Sequence, residues 1–247
     1  MRSFETKIED TINLIGTVYS KSKMYLSKFN GTGLKEIEKI LGILVLDRIT
    51  YNLYSTKLLL SELLKNPGIE HSIGLVLRNN LSLCKIVFKQ VEIKDNTPEK
   101  LKKFYQAIFG ENIQRTIKEV KKNYTQSEYK PSIKNISKNY SFLLRKLDID
   151  INKIEDYKFN SNLKLSNKFD SLEKLHDAYS KYEHFGLNTL ILQSDNNENE
   201  ILDRINIAVH YSLQGVLTCL LLLDIVDKEL LEILKKLFEK ARTHNNR

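Results

Sequence analysis

The sequence is poor in whatever interrupts a helix. Its 247 residues hold 9 glycines and 3 prolines, and no tryptophan. Pro67, Pro98 and Pro131 each stand where an apolar periodicity stops or starts, as helix punctuation does. No internal repeat and no low-complexity linker is present. Alternation of the strand type is nearly missing too. Its one instance, residues 157–165, is short and lies between helical patterns, so it reads as a loop. Cysteine is scarce: Cys84 and Cys219 sit inside apolar segments with no paired histidine motif. That excludes a disulfide framework and a zinc finger, and makes both thiols small buried hydrophobes of a cytoplasmic chain. No His-x-x-x-His or Glu-x-x-His pair recurs on two helices, which excludes a di-metal bundle. No metal and no cofactor is expected. The longest greasy stretch, Leu213–Val226, is interrupted by Gln214 and Asp224. It falls short of the roughly 18 residues of a membrane span, so it reads as a core helix and no membrane partner is expected. Residues 1–10 carry both signs of charge and no apolar targeting segment.

What remains is helix. The pattern predicts an all-α bundle of about eight helices in one domain, 1–247, with the polar connection 148–168 as the place where it would subdivide. The predicted helices cover residues 4–29, 34–64 and 70–92, a fourth opening at Thr97-Pro98-Glu99, and a fifth after Pro131. A sixth opens at an Asp170–Glu173 capping-box pattern and ends near Phe185; the last two cover 200–225 and 228–241. The third and seventh are apolar around most of their circumference and are expected at the centre, with the others around them.

The net charge is +8 and the pI about 9.2, with lysine far ahead of arginine. A solvated lysine-rich surface explains that total by itself. The distribution is lopsided: residues 99–148 hold twelve basic and five acidic side chains, whereas 195–232 hold eight acidic and two basic. Arg115, Lys118 and Lys122 share a face of the fourth helix, and Lys134, Lys138 and Arg145 share one of the fifth. Each face is either plain solvated surface or a site for RNA or DNA phosphates, bound without sequence preference and with strong salt dependence. It could equally dock on the acidic segment of a second copy, giving a homo-oligomer.

Some polar residues sit awkwardly in apolar helices. On the third, His71, Gly74, Arg78, Ser82, Lys85 and Lys89 form one narrow stripe, which either faces water or lines a polar pocket. Asn80 projects to the opposite side and needs a buried partner. On the seventh, Asp203, Asn206, His210 and Gln214 form a second stripe. Those groups must meet solvent, each other or a ligand, because each unpaired burial costs about 1–3 kcal/mol. On the sixth, Ser180 and His184 are one turn apart, with Glu173 and His176 nearby.

Two resemblances follow. Arg204, five residues and then His210 resemble the arginine–histidine signature of the HEPN superfamily, although Ile205 stands where a polar residue usually follows the arginine. That resemblance implies a metal-independent ribonuclease or toxin, with His210 as acid or base and Arg204 on the phosphate. Tyr179-Ser180-Lys-Tyr182-Glu183-His184, together with Arg78 in Leu75-Val-Leu-Arg78, resembles a bacterial family of helical domains of unknown function. Leu81 and Ser82 stand where that family often carries a glutamate. The resemblance implies a bundle in which Arg78, Ser180 and His184 lie near one another, in a stress or phage-defence context, and it implies no activity. The first expectation is therefore a helical interaction module with a protein partner or a second copy. The HEPN-like ribonuclease and the nucleic-acid binder are the alternatives.

Overall fold

A computed structural model describes residues 3–29, 36–94, 98–151, 164–180 and 198–245. It is an all-α helical bundle, and no strand occurs among the described residues. Nine α-helices are described: α1 (Phe4–Lys28), α2 (Ile37–Leu63), α3 (Glu70–Lys94), α4 (Pro98–Asn123), α5 (Gln126–Asn139), α6 (Ser141–Lys146), α7 (Asp170–Ser180), α8 (Glu198–Leu222) and α9 (Lys228–Asn245). The chain divides into two compact units. The first comprises residues 1–34, 38–88 and 165–247, and the second comprises 35–37 and 89–164.

In the first unit α3 and α8 run side by side in the same direction. Glu70 meets Arg204 at their starts, Asn80 meets Ser212 midway, and Cys84 lies against Gly215 further on. Leu77, Leu81, Val209, Leu213 and Val216 are all buried there. At about 1.5–3 kcal/mol for each fully buried aliphatic side chain, these five contribute on the order of 10 kcal/mol to the gross stability. Asn80 is fully buried, and its Nδ2 donates to Ser212 Oγ at 3.1 Å. A buried amide is expected to find such a partner. α2 turns Leu46, Ile49, Leu53 and Leu60 into the same core. Gly42 lets it approach the Cys219 carbonyl of α8 closely, since a Cβ there would sit 3.3 Å from that oxygen. By length and composition alone α8 is long and apolar enough over Asn199–Leu222 to cross a membrane, longer than the run read from sequence, but 61% of its most apolar 18-residue stretch is buried inside the fold. α9 is tied back to α1: Asp227, 5% exposed, accepts from the Tyr25 hydroxyl at 2.8 Å and from the Leu230 N–H at 3.0 Å.

The second unit packs Phe104, Ile108, Phe109 and Ile113 of α4 with Leu143, Leu147 and Ile149 in its buried core. Here the sequence expectation for the fifth helix needs correction. The helix starts at Gln126 and holds Pro131 inside it, because Thr125 and Glu128 form the capping box that fixes the start. Proline removes one N–H from the ladder, and the acceptor it abandons, on Ser127, belongs to an exposed residue where water can replace it. The helix then breaks at Tyr140 and resumes as α6. Asp148 and Asp224 follow α6 and α8 in the left-handed region, with φ of 49° and 59°. Each lets the next N–H return to a carbonyl five residues back, Ile149 to Leu144 and Ile225 to Leu220, which closes the helix end.

Candidate functional site

The middle of the polar stripe of α3 faces neither open water nor an empty pocket; it meets α7. Arg78, Ser82 and Lys85 succeed one another at helical spacing, and α7 presents Ser180, His176 and Glu173 in the opposite order. The result is an antiparallel ladder with three rungs. Arg78 Nε donates to Ser180 Oγ at 3.0 Å. Ser82 Oγ and His176 Nε2 are 2.9 Å apart. Lys85 Nζ stands 3.4 Å from Glu173 Oε1. Beyond the last rung the rings of Phe88 and Phe169 stack at 5.1 Å. Glu173 also accepts the Leu165 N–H at 3.3 Å, so its carboxylate serves these two contacts rather than the expected capping box.

The hydroxyl protons decide what the ladder can do. Ser180 donates to the His176 carbonyl at 2.8 Å and uses a lone pair to accept from Arg78. Ser82 lies 3.2 Å from the Arg78 carbonyl and 2.9 Å from His176 Nε2, yet it has one proton. When it donates to the carbonyl, Nε2 must be the protonated nitrogen; when it donates to Nε2, the carbonyl loses its hydroxyl. Burial holds the His176 pKa below its usual value, and Lys85 and then Arg78 push the same way. The Asp177 carboxylate opposes them, its Oδ1 3.5 Å from Nδ1. The imidazole is thus biased to neutrality between two cations. A serine–imidazole–carboxylate set has the ingredients of general-base chemistry. However, Ser82 and His176 lie inside helices whose N–H groups are already bonded, so these two helix segments offer no free backbone donors beside the pair to cradle an oxyanion.

The α8 stripe disperses. Asn206 accepts from Thr11 of α1 at 2.7 Å, and Asp203 is exposed. Arg204 turns to α3, where its Nη2 pairs with the buried Glu70 at 3.4 Å. His210 instead lines a cavity of about 190 Å³ with Ile207, Gln214, Leu234 and Phe238, between α8 and α9. The imidazole has no hydrogen-bond partner among the described residues, and burial lowers its pKa. The two residues of the HEPN-like signature therefore face different neighbours. His184 lies outside the described residues. Among the described residues, no group of three or more His, Cys, Asp or Glu could hold a metal ion.

These two histidines predict a pH dependence. Their folded pKa values lie below the ordinary value of 6.5, so the unfolded chain takes up protons first as pH falls. Stability should be fully present above about pH 6.5 and decline as pH drops from there through the folded values. His210→Phe, which suits its apolar cavity, should remove part of that slope in urea titrations between pH 7 and pH 5. An unchanged slope in both His210→Phe and His176→Gln would refute the assignment.

In the second unit, Lys118 and Lys122 on α4, Lys134 and Lys138 on α5, and Arg145 on α6 are all exposed. Arg115 pairs with Glu111 at 3.2 Å. The first unit carries a feature that the charge and motif reading passed over. On α2, Leu44, Tyr51, Tyr54 and Leu58 are 52%, 62%, 42% and 51% exposed. They lie opposite the buried Leu46, Ile49, Leu53 and Leu60, so α2 is apolar on both faces. The signal was in the sequence: a core stripe accounts for only one side of a helix, and leucine and tyrosine recur at 44, 51 and 58 on the other. No known protein family, curated protein or solved structure matches this chain.

Proposed function

We propose that the chain is a helical interaction module, with α3 and α8 as the central pair of its scaffold, and that it acts by docking rather than by catalysis. The observation that carries this reading is the outer face of α2, where four large apolar side chains stand exposed on one side of a single helix. Exposed apolar clusters of that kind mark interaction surfaces. The polar residues support it from the other direction. Arg78, Ser82, Lys85, Glu173, His176 and Ser180 bond to one another across two helices, and Arg204 is matched to Glu70. Groups so committed fix a helix in place. A bacterial stress or phage-defence setting belongs to the same proposal, as the context that the helical-family resemblance implies.

The catalytic alternative gives a direct test. Wild type and His210→Ala are expressed in a bacterial host and total RNA is examined from both. Intact RNA in both is the expected result. Fragmentation by the wild type that vanishes in His210→Ala would overturn the docking reading and make His210 a catalytic group.

A further inference from the structure

We infer that the outer face of α2 pairs with α2 of a second copy, antiparallel, about a two-fold axis at Tyr51; this rests on the docking reading above. An isologous interface uses one patch on both partners, so the patch must complement itself when rotated by half a turn. Leu44 and Leu58 each lie seven residues from Tyr51, one towards either end of the helix. Seven residues return the helix to the same face after two turns, a rise of about 10.5 Å. Setting Tyr51 on Tyr51 of the second copy therefore sets Leu44 on Leu58 of that copy, and Leu58 on its Leu44. Parallel pairing would lay each residue on itself and would bring like charges together.

The flanks make the same point with charge. Asp47 and Arg48 are neighbours on this face, and neither makes a hydrogen bond or an ion pair among the described residues. In the antiparallel register they fall on opposite edges of the contact. Asp47 arrives beside the phenol of Tyr54 in the second copy, a donor for its carboxylate. Arg48 arrives beside the hydroxyl of Ser55 in the second copy, an acceptor for its guanidinium. Tyr54 is already held in place, its ring stacked on Tyr19 of α1 at 5.1 Å and 28°. Aromatic and arginine side chains are also the types enriched where interfaces carry their energy. A contact made by one helix from each copy lies at the small end of specific interfaces, below about 1,200 Å². The dimer should therefore dissociate on dilution rather than being permanent.

Cysteine cross-linking tests the register on the full chain, because the native Cys84 and Cys219 are fully buried and give little background. Tyr51→Cys should form a disulfide-linked dimer under mild oxidation. Leu44→Cys mixed with Leu58→Cys should do so as well, whereas neither should when oxidised alone. Self-linking by Leu44→Cys alone would overturn the antiparallel register, and the absence of any dimer from Tyr51→Cys would overturn the pairing. A benzophenone amino acid at position 55, irradiated in living cells, separates this proposal from the docking reading beneath it. An adduct of twice the chain mass supports self-pairing. An adduct of another mass overturns self-pairing and leaves docking in place, and no adduct of any mass overturns both.

Discussion

Arg204→Ala should lower the unfolding free energy by about 3 kcal/mol. Glu70 is 6% exposed, and Arg204 approaches its carboxylate at 3.4 Å. Removing the arginine takes a cation from beside a carboxylate that water cannot readily reach. Two features keep the loss from being greater. Glu70 lies in the first turn of α3, where the helix dipole favours negative charge. The arginine side chain is also 29% exposed, so the pair is only partly withdrawn from solvent. The reverse change should cost less: Glu70→Gln should lose about 1 kcal/mol, because glutamine keeps an acceptor and the arginine can reach water. Urea unfolding of both variants measures this asymmetry directly. It also bears on function, since an arginine held for a substrate phosphate would be removable with little loss of stability. If Arg204→Ala unfolds within roughly 0.5 kcal/mol of wild type, the ion pair is not what Arg204 is for, and the ribonuclease reading regains ground.

How far the fold was legible depended on which signal each feature left. Helix existence came from apolar spacing, and α1, α3, α4 and α9 begin where the pattern placed them. The fifth helix was misplaced because Pro131 is the loudest local signal, while the Thr125–Glu128 capping box that sets the true start is quiet. The α3 stripe was visible as a row of polar residues, but a row does not say what it meets. Ser82 found His176 and Lys85 found Glu173, across more than 85 residues of chain that spacing on one helix cannot bridge. Arg204 and His210 looked like a pair because they are near in sequence. On an α-helix six residues turn through about 600°, which leaves them on different faces, and the structure gives them different neighbours. The face of α2 was missed for the opposite reason: leucine and tyrosine in a long helix read as core, and only burial separates an inner leucine from an outer one.

Gly215→Ala should destabilise the chain by about 2 kcal/mol, even though alanine is the better helix former by roughly 1 kcal/mol. A Cβ at this position would lie 2.6 Å from Cys84 Sγ and 3.1 Å from Ile49 Cδ1, where α8, α3 and α2 meet. The sulfur would have to rotate out of a fully buried site and give up the Tyr211 carbonyl, to which it donates at 3.2 Å. The most severe part of the clash therefore belongs to this pair of residues and should vanish with the sulfur. Cys84→Ala alone should cost about 1 kcal/mol for its lost packing. In the double variant the methyl added at 215 occupies space that the sulfur left, so the two losses should fall well short of adding. A double-mutant cycle by denaturant unfolding should show a favourable coupling of at least about 1 kcal/mol. Additive losses would mean that Gly215 is tolerated space rather than a required close approach. The cycle also reaches the proposed dimer, because Ile49 sits on the inner side of the helix whose outer side carries Tyr51. A methyl wedged between Cys84 and Ile49 pushes α2 outward, so Gly215→Ala should weaken the Tyr51→Cys cross-link, and adding Cys84→Ala should restore part of it, because α8 can then settle towards α3 and away from Ile49. A cross-link equally strong in all these backgrounds would show that the outer face does not depend on how closely α2 is seated.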